Sequence, residues 1–487
     1  MENTNNFGRL LLLLLLTLAF SLGLYRLPDK LFGFPVKRVD LLSDIRVAQG
    51  PATLDSLKQA LLQPDTALVG AMTSDTTLLS SLPAKQKEGA DSVALALRDS
   101  LYRAVYGEPG ADSTGTHIED YSAGHVGLKH FFAMLDRRHE LGRPVRVAFL
   151  GDSFIEGDIL VADFRSALQQ RFGGRGVGFV PVASVAAGFR PTVELHSAGW
   201  TTHSILTDRS RRYTLSGMLF DAAAEASLSV KAMARYPELQ AVSSLRFYYT
   251  RSGQAWMQLV CNGSADTLRE ALPPVETVGE YVCRGECREA HFRFTRAAGL
   301  QALGVAMEDT SGVVVDNFSL RGNSGLVFER LDSARSRAFG AVRPYDLIVL
   351  QYGLNVVSDG MLHYGWYAKG MLKVIKQLKL CYPQADILLL GVSDRGRQRD
   401  GAFETMPAVL ALLHAQRGIA RAAGLPFWNV FGAMGGENSM VRFVEKNWAS
   451  KDYTHLGFRG GREIARALMD ALMTEKEFYD EADKMVN

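Results

Sequence analysis

Three short stretches of this sequence carry side chains whose types and spacing could do chemistry together. Gly151-Asp152-Ser153-Phe154-Ile155-Glu156-Gly157 offers a hydroxyl on a turn, and Lys451-Asp452-Tyr453-Thr454-His455-Leu456-Gly457 offers a carboxylate and an imidazole that one loop can present. Gln351-Tyr352-Gly353-Leu354-Asn355 offers a side-chain amide beside a glycine. A serine hydroxyl at its ordinary pKa is a weak nucleophile, so it needs an imidazole to take its proton and a carboxylate to hold that ring. Acyl transfer also needs N–H donors for the oxyanion of the tetrahedral intermediate, and backbone amides with Asn355 are of that type. Singly, each stretch has an ordinary structural explanation: Asp152 or Ser153 as a helix cap, Asp452 or His455 as a cap of the last helix, Gly353-Leu354-Asn355 as a turn.

Chemistry of this kind needs a scaffold that brings distant stretches to one rim. Residues 145–150 read as a buried strand, and Leu160, Phe164, Leu168 and Phe172 repeat at the spacing of a helix face. Strand, tight turn and helix open a parallel α/β sheet, whose sites gather at its carboxyl edge, and the helix would aim N–H groups at Ser153. The alternation resumes with strands at 347–350, 387–390 and 427–431 and helices at 366–380, 406–423 and 460–472. Their apolar runs fit strands covered on both faces. Between about 190 and 311 the period becomes two, as at 245–249, 256–260, 291–294 and 303–307, which predicts an all-β insert, a sandwich or jelly roll.

The chain has 487 residues, 47% of them hydrophobic, and a formal charge of +2, so ordinary cores are available and no global basic surface calls for nucleic acid. Residues 10–25 form an uncharged, Leu-dominated run that spans about 24 Å as a helix. It lies near the lower limit for crossing a bilayer and has no polar face for water, so residues 1–27 are read as an export signal or anchor. Ala19-Phe20-Ser21 is only a fair cleavage site and Arg26 and Lys30 follow closely, which favours an uncleaved anchor over a cleaved signal peptide. Residues 28–119 read as a spacer, partly disordered, with short helices near 54–62 and 92–105. The C-x3-C pair of Cys283 and Cys287 lacks a second pair or a histidine dyad, which argues against zinc. In an exported chain one disulfide from Cys261 to Cys283 or Cys287 is expected, with Cys381 and one further thiol left over.

In the order and context of these blocks the chain resembles the SGNH (GDSL-type) hydrolases. The first block is matched by Gly151-Asp152-Ser153 with Gly157, and the second by Gly322 in Val315-Asp316-Asn317-Phe318-Ser319-Leu320-Arg321-Gly322-Asn323, with Gly325 close by. The third is matched by Gly353 and Asn355, and the fifth by Asp452 and His455. The resemblance implies Ser153 as nucleophile, His455 as base, Asp452 as its orienter, and an oxyanion hole made by the Ser153 and Gly322 N–H groups and the Asn355 amide. It implies a flavodoxin-like three-layer α/β sandwich at 120–189 and 312–475, interrupted by the insert at 190–311, and no metal or organic cofactor. Val356 stands where many members carry an acid after the Asn, which puts substrate positioning in that loop in doubt.

Within the family the architecture resembles the peptidoglycan O-acetylesterases, which have an export segment and an inserted β-sandwich similar to a carbohydrate-binding module. By that resemblance the expected substrate is an O-acetyl group on peptidoglycan or another envelope polysaccharide, handled in the periplasm by a chain anchored to the inner membrane. Tyr248, Tyr249, Trp256 and Tyr281 are the insert's candidates for stacking on sugar. An O-acetyltransferase with the same three residues, and a glycan-binding protein with a degenerate site, are the alternatives. Gly173-Gly174-Arg175-Gly176-Val177-Gly178, Ser393-Asp394-Arg395 and Gly435-Gly436-Glu437-Asn438-Ser439 are loops expected to border the cleft.

Overall fold

The computed structural model describes residues 30–31, 34–35, 84–110 and 112–486, so the expected anchor at 1–27 and much of the expected spacer lie outside the described residues. Among the described residues, no helix is long and apolar enough to cross a membrane. Lys30–Leu31 pairs antiparallel with Phe34–Pro35.

Helix α1 (Ala84–Tyr106) contains the short helix expected near 92–105 and starts earlier than expected. Tyr102 is fully buried, stacked on His125 with ring centroids 3.7 Å apart and edge-on to Phe478 at 5.6 Å. Its hydroxyl donates to the Ile118 carbonyl at 3.0 Å, and Arg98 pairs with Asp483 at 2.6 Å. Burial of one aromatic face, rather than propensity, fixes this helix to the body of the protein.

Next come β1 (Glu119–Asp120), α2 (Lys129–Asp136), β2 (Val145–Gly151) and α3 (Val161–Phe172). The chain then leaves for an antiparallel sheet: β3 (Gly178–Pro181), β4 (Val193–Ser204), β5 (Met218–Ala232), β6 (Val242–Arg251), β7 (Trp256–Cys261), β8 (Leu268–Ala271), β9 (Gly279–Cys287), β10 (Glu289–Thr295) and β11 (Gln301–Glu308). It returns through β12 (Val313–Ser319), α4 (Ser333–Val342), β13 (Leu347–Gln351), α5 (Gly365–Cys381) and β14 (Asp386–Leu390). A hairpin of β15 (Gly396–Arg399) and β16 (Ala402–Thr405) precedes α6 (Pro407–Ala423), β17 (Pro426–Trp428), α7 (Val430–Ala433), α8 (Ser439–Glu445) and α9 (Phe458–Val486). The last helix therefore runs beyond the expected boundary at 475.

The first sheet has the order β12-β2-β13-β14-β17-β1, parallel except for β1 at its edge. Every residue of β2 and β13 is buried, as expected when helices cover both faces. The antiparallel strands form one nine-stranded ladder with its own core, in which Phe247, Tyr249, Phe292 and Phe294 pack together. Seven strands run β8-β7-β10-β5-β11-β6-β9, with β3 paired to β11 and β4 to β5, yet Cys261 on β7 lies beside Cys283 and Cys287 on β9, so the sheet curls until its ends approach. All four cysteines are free thiols, which corrects the expected disulfide: the curl of the sheet brings Cys261 beside Cys283 and Cys287 without a covalent bond. Strand pairing starts at Gly178, ahead of the expected boundary at 190. Tyr248 and Tyr249 are fully buried, so neither presents a ring face to sugar; Trp256 is 45% exposed.

A buried ionic network joins the two sheets. Arg343, after α4, donates to both oxygens of Asp316 on β12 (2.8 and 2.7 Å) and pairs with Glu308 on β11 (2.8 Å). Arg146 on β2 reaches Glu308 at 2.6 Å, and Asp316 also accepts the Phe179 N–H of β3 at 2.7 Å. Burial works to raise the Glu308 pKa, but Arg146 and Arg343 outweigh it and hold the carboxyl at about 2, below its ordinary 4.5. Its stabilising contribution is therefore complete above pH ~4.5 and is lost as pH falls from there towards 2. Arg343→Met leaves Asp316 and Glu308 short of a partner in a dry seam and is expected to cost about 3–5 kcal/mol in urea unfolding at pH 7. In the variant Glu308 is held down less, so the stability lost between pH ~4.5 and 2 should be smaller than in wild type; an unchanged acid limb would show that the pairing with Arg343 does not hold Glu308 down.

Candidate active site

Three strands end level at the carboxyl edge of the parallel sheet. Gly151 lies opposite Ser319 on one side and Gln351 on the other. Taken by chain position the parallel strands run two, one, three, four, five, which places the topological switch between β2 and β13, where an open sheet leaves a crevice. Ser153, Gly322 and Asn355 follow these strand ends and so share a rim. Gly151 has no room for a side chain: a Cβ would lie 2.8 Å from Ile155 Cγ1 and 3.0 Å from the Gln351 carbonyl.

The loop after Ser153 does not pass directly into a helix. Gly157 and Asp158 both adopt φ of +64°, and α3 starts only at Val161, which corrects the expectation that a helix N-terminus points at the serine. Asp158 is fully buried and accepts from Arg190 Nε at 2.9 Å, Asn317 Nδ2 at 2.7 Å and Arg165 Nη1 at 3.2 Å. Burial favours its neutral form, but Arg165 and Arg190 prevail and hold the carboxyl well below its usual range. The fixed charges over-determine a left-handed residue that would otherwise be unfavourable.

The other half of the constellation arrives from beyond α8. Ala449 bridges Leu456, and the Ser450 N–H donates to the His455 carbonyl at 2.8 Å, closing a tight loop. Inside it, Asp452 Oδ1 accepts the N–H groups of Thr454 (2.9 Å) and His455 (3.0 Å), while Oδ2 accepts His455 Nδ1–H at 2.7 Å. Burial opposes ionisation of Asp452, but these hydrogen bonds lower its pKa, so it stays a carboxylate. A carboxylate can only accept, so Nδ1 carries the ring proton and Nε2 is left as acceptor. Nε2 lies 3.1 Å from Ser153 Oγ. This is the arrangement in which a hydroxyl can lose its proton as it attacks a carbonyl. The His455 and Asp452 side chains are 44% and 49% exposed, so the rim opens to solvent and to large molecules.

Across the rim, Asn355 Nδ2 donates to Asp152 Oδ2 at 2.7 Å and to the Asn323 carbonyl at 3.0 Å. Asp152 is buried and also accepts the Phe154 N–H at 2.9 Å; burial pushes its pKa up to about 6. Gly322 is exposed at φ +75° with open space where a side chain would lie. Gly325 differs: its N–H donates to Asn323 Oδ1 at 2.8 Å, and a Cβ would press within 2.8 Å of Tyr352. Arg321 pairs with Glu156, at 2.9 Å through Nε, tying the Gly322 turn to the serine loop. Sequence reasoning did not foresee Asp152 and Asn323 as the groups that aim Asn355, nor the hairpin β15–β16. For the hairpin a signal was present, since Asp400-Gly401 is a strong turn pair.

The further loops fare differently. Gly174 and Gly176 pack backbone against Val313 and Met307, at the start of β12 and so at the opposite edge of the sheet; this stretch does not border the rim. Asp394 is buried under Ser439 and the Met440 N–H, and Arg395 donates to the carbonyls of Val357 (3.0 Å) and Leu354 (3.4 Å), bracing the Asn355 loop. Among the described residues, no group of three or more His, Cys, Asp or Glu side chains is placed to hold a metal ion.

No protein-family model matches the sequence, and no curated protein matches it. Among solved structures the chain is similar to a peptidoglycan O-acetylesterase, with 21% identity and a TM-score of 0.60, over 74% of this chain and 99% of that one. The likeness is one of fold. An acetyl xylan esterase matches over 33% of this chain and 81% of its own at 17% identity and a TM-score of 0.26. A family two carbohydrate esterase from Cellvibrio japonicus matches over 59% and 100% at 11% identity and 0.24. Both scores are too low to relate folds.

If Ser153 is activated as this geometry allows, a fluorophosphonate probe should label it selectively. Asp452→Asn should slow labelling by about 10²–10⁴, because the ring loses the partner that sets its tautomer. Mass spectrometry of the labelled peptide checks the site; label elsewhere, or equal rates in both proteins, contradicts the assignment.

Proposed function

We propose that the protein is an SGNH-type serine esterase that removes O-acetyl groups from peptidoglycan or another envelope polysaccharide through an acetyl-serine. The observation that carries this reading is the 3.1 Å contact between Ser153 Oγ and a His455 ring held at Nδ1 by Asp452. His455 Nε2 takes the Ser153 proton as Oγ attacks the acetyl carbonyl, then returns it to the sugar oxygen as the ester C–O bond breaks. Water, giving its proton to the same nitrogen, attacks the acetyl-serine; acetate leaves and Ser153 recovers its proton. The Ser153 and Gly322 N–H groups and the Asn355 amide face the developing oxyanion.

A polymeric substrate is supported by the openness of the rim, and peptidoglycan by the fold shared with a peptidoglycan O-acetylesterase. On this reading the hydrolase sandwich, expected at 120–189 and 312–475, gives way to the insert at Gly178 and is extended by α1 and the end of α9, and the curled sheet is a carbohydrate-binding insert. The apolar run at 10–25 would tether the chain at the inner membrane, with the site in the periplasm. Hydrolysis is favoured over acetyl transfer because passing an acyl group to sugar requires water to be kept from the intermediate, and His455 is 44% exposed.

The test compares wild type with Ser153→Ala and His455→Ala on 4-nitrophenyl acetate and on O-acetylated peptidoglycan. Acetate release is expected to fall by about 10⁴ or more in each variant; equal rates in all three reject the hydrolase. Acetyl appearing on an unacetylated glycan instead of free acetate would make the protein an O-acetyltransferase, and glycan binding without Ser153-dependent turnover would make it a binding protein. Asn355→Ala should lower kcat by about 10²–10³ with little change in KM; a KM effect alone would remove Asn355 from the oxyanion hole.

A further inference from the structure

The loop that carries Asp452 and His455 is exposed, and its internal hydrogen bonds do not fix its distance from Ser153. Its apex residue, Tyr453, is a non-glycine at φ +53°, a conformation that persists only where neighbours hold it. The neighbour is the hairpin β15–β16. Phe403 on β16 lies flat on the Tyr453 ring, centroids 3.6 Å apart and planes 8° from parallel. On β15 the Gly396 N–H donates to the Tyr453 carbonyl at 2.8 Å, and a side chain at 396 would meet Tyr453 Cβ at 2.9 Å.

The hairpin is anchored on two further sides. Arg397 bridges Glu404 within the hairpin (2.8 Å) and Asp359 on the segment after Asn355 (2.7 Å). Thr405 and Asn438 exchange hydrogen bonds of 2.9 and 2.7 Å where α8 begins. Arg395, one residue before the hairpin, holds the carbonyls of Leu354 and Val357. One element thus grips both the His455 loop and the Asn355 loop, which come from different parts of the chain.

We propose that this hairpin, through Phe403, is a positioning element that sets His455 against Ser153 and Asn355. The role of His455 in this statement rests on the esterase reading above. Phe403 lays its ring on Tyr453, beside Asp452 and two residues before His455, so the expected effect falls on the rate of the chemical step rather than on substrate affinity. A small misplacement of a base is enough to lose activity, up to about a hundredfold for 1 Å.

The experiment uses the full chain with Phe403→Ala, Phe403→Tyr and Ser153→Ala. Phe403→Ala is expected to lower kcat on 4-nitrophenyl acetate by about 10- to 100-fold with KM within twofold, while Phe403→Tyr, which keeps the ring, restores the wild-type rate. Amide hydrogen exchange over residues 450–457 should rise in Phe403→Ala and return to the wild-type level in Phe403→Tyr, with the β2 amides unchanged as a control for folding. Unchanged exchange at 450–457 overturns the proposal whether or not the protein is an esterase. So does a raised KM at wild-type kcat, or a loss that Phe403→Tyr fails to recover. Turnover that Ser153→Ala leaves intact would instead overturn the esterase reading, and the exchange measurement would still decide the brace.

Discussion

Gly151 is flanked by two parallel partners, Ser319 and Gln351, and the distance between the functional groups follows from that shared register. A slip of one residue in either pairing would carry its loop about 3.3 Å along the strand and turn its side chains to the other face. Asn355 after β13 reaches Asp152 after β2 at 2.7 Å, so such a slip is longer than the bond that sets the amide beside Ser153. The register is strongly specified because β2 and β13 are buried on both faces, where a slip would exchange every packing contact. Gly151 itself is part of that specification: any side chain there would strike Ile155 and push the β13 carbonyl away.

The antiparallel insert occupies the crossover that takes the chain from α3 to β12, the connection on which this register depends. Its length does little harm because its ends are brought together: β3 pairs with β11, from Gly178 opposite Met307 to Pro181 opposite Gly304. To the parallel sheet the insert behaves as a closed connection, and loop-closure entropy grows only slowly with length. Asp316 sits at the joint and accepts from both Phe179 of the insert and Arg343 of the α/β body. A buried charge cluster is weak evidence for added stability, but it tolerates few alternative dockings, which suits a joint between two cores.

How much of this was legible in the sequence depended on the range of the interaction. The parallel strands and their helices announced themselves through local periodicity, and the α5 and α6 bounds differ from the expected ones by about one residue. Ser153, Asp452 and His455 could be singled out as candidates because their residue types narrow the chemistry, and the structure brings the three within hydrogen-bond distance. Tyr102 was not, because its value lies in stacking on His125 and Phe478, contacts that no local pattern encodes. The curl that brings Cys261 to Cys283 and Cys287 was likewise hidden; cysteine spacing suggested a bond where the thiols are free. Tyr248 and Tyr249 were candidates for sugar although most aromatics at strand spacing are core, and the packing of the sheets buries both.

Asn355 shows how a site can be fully satisfied at rest and still be ready for the proposed reaction. An amide nitrogen has two hydrogens, and here one goes to Asp152 and the other to the Asn323 carbonyl. A neutral ester carbonyl would compete with the Asn323 carbonyl for that second hydrogen on roughly equal terms and gain little. An oxyanion would not, since hydrogen bonds to a charged oxygen are roughly twice as strong as neutral ones. The exchange becomes favourable only as negative charge develops, so the amide contributes to the transition state and hardly to the bound ester. Asp152 makes this possible without reorganisation: by holding the first hydrogen at 2.7 Å it keeps the amide plane in place while the second changes partners.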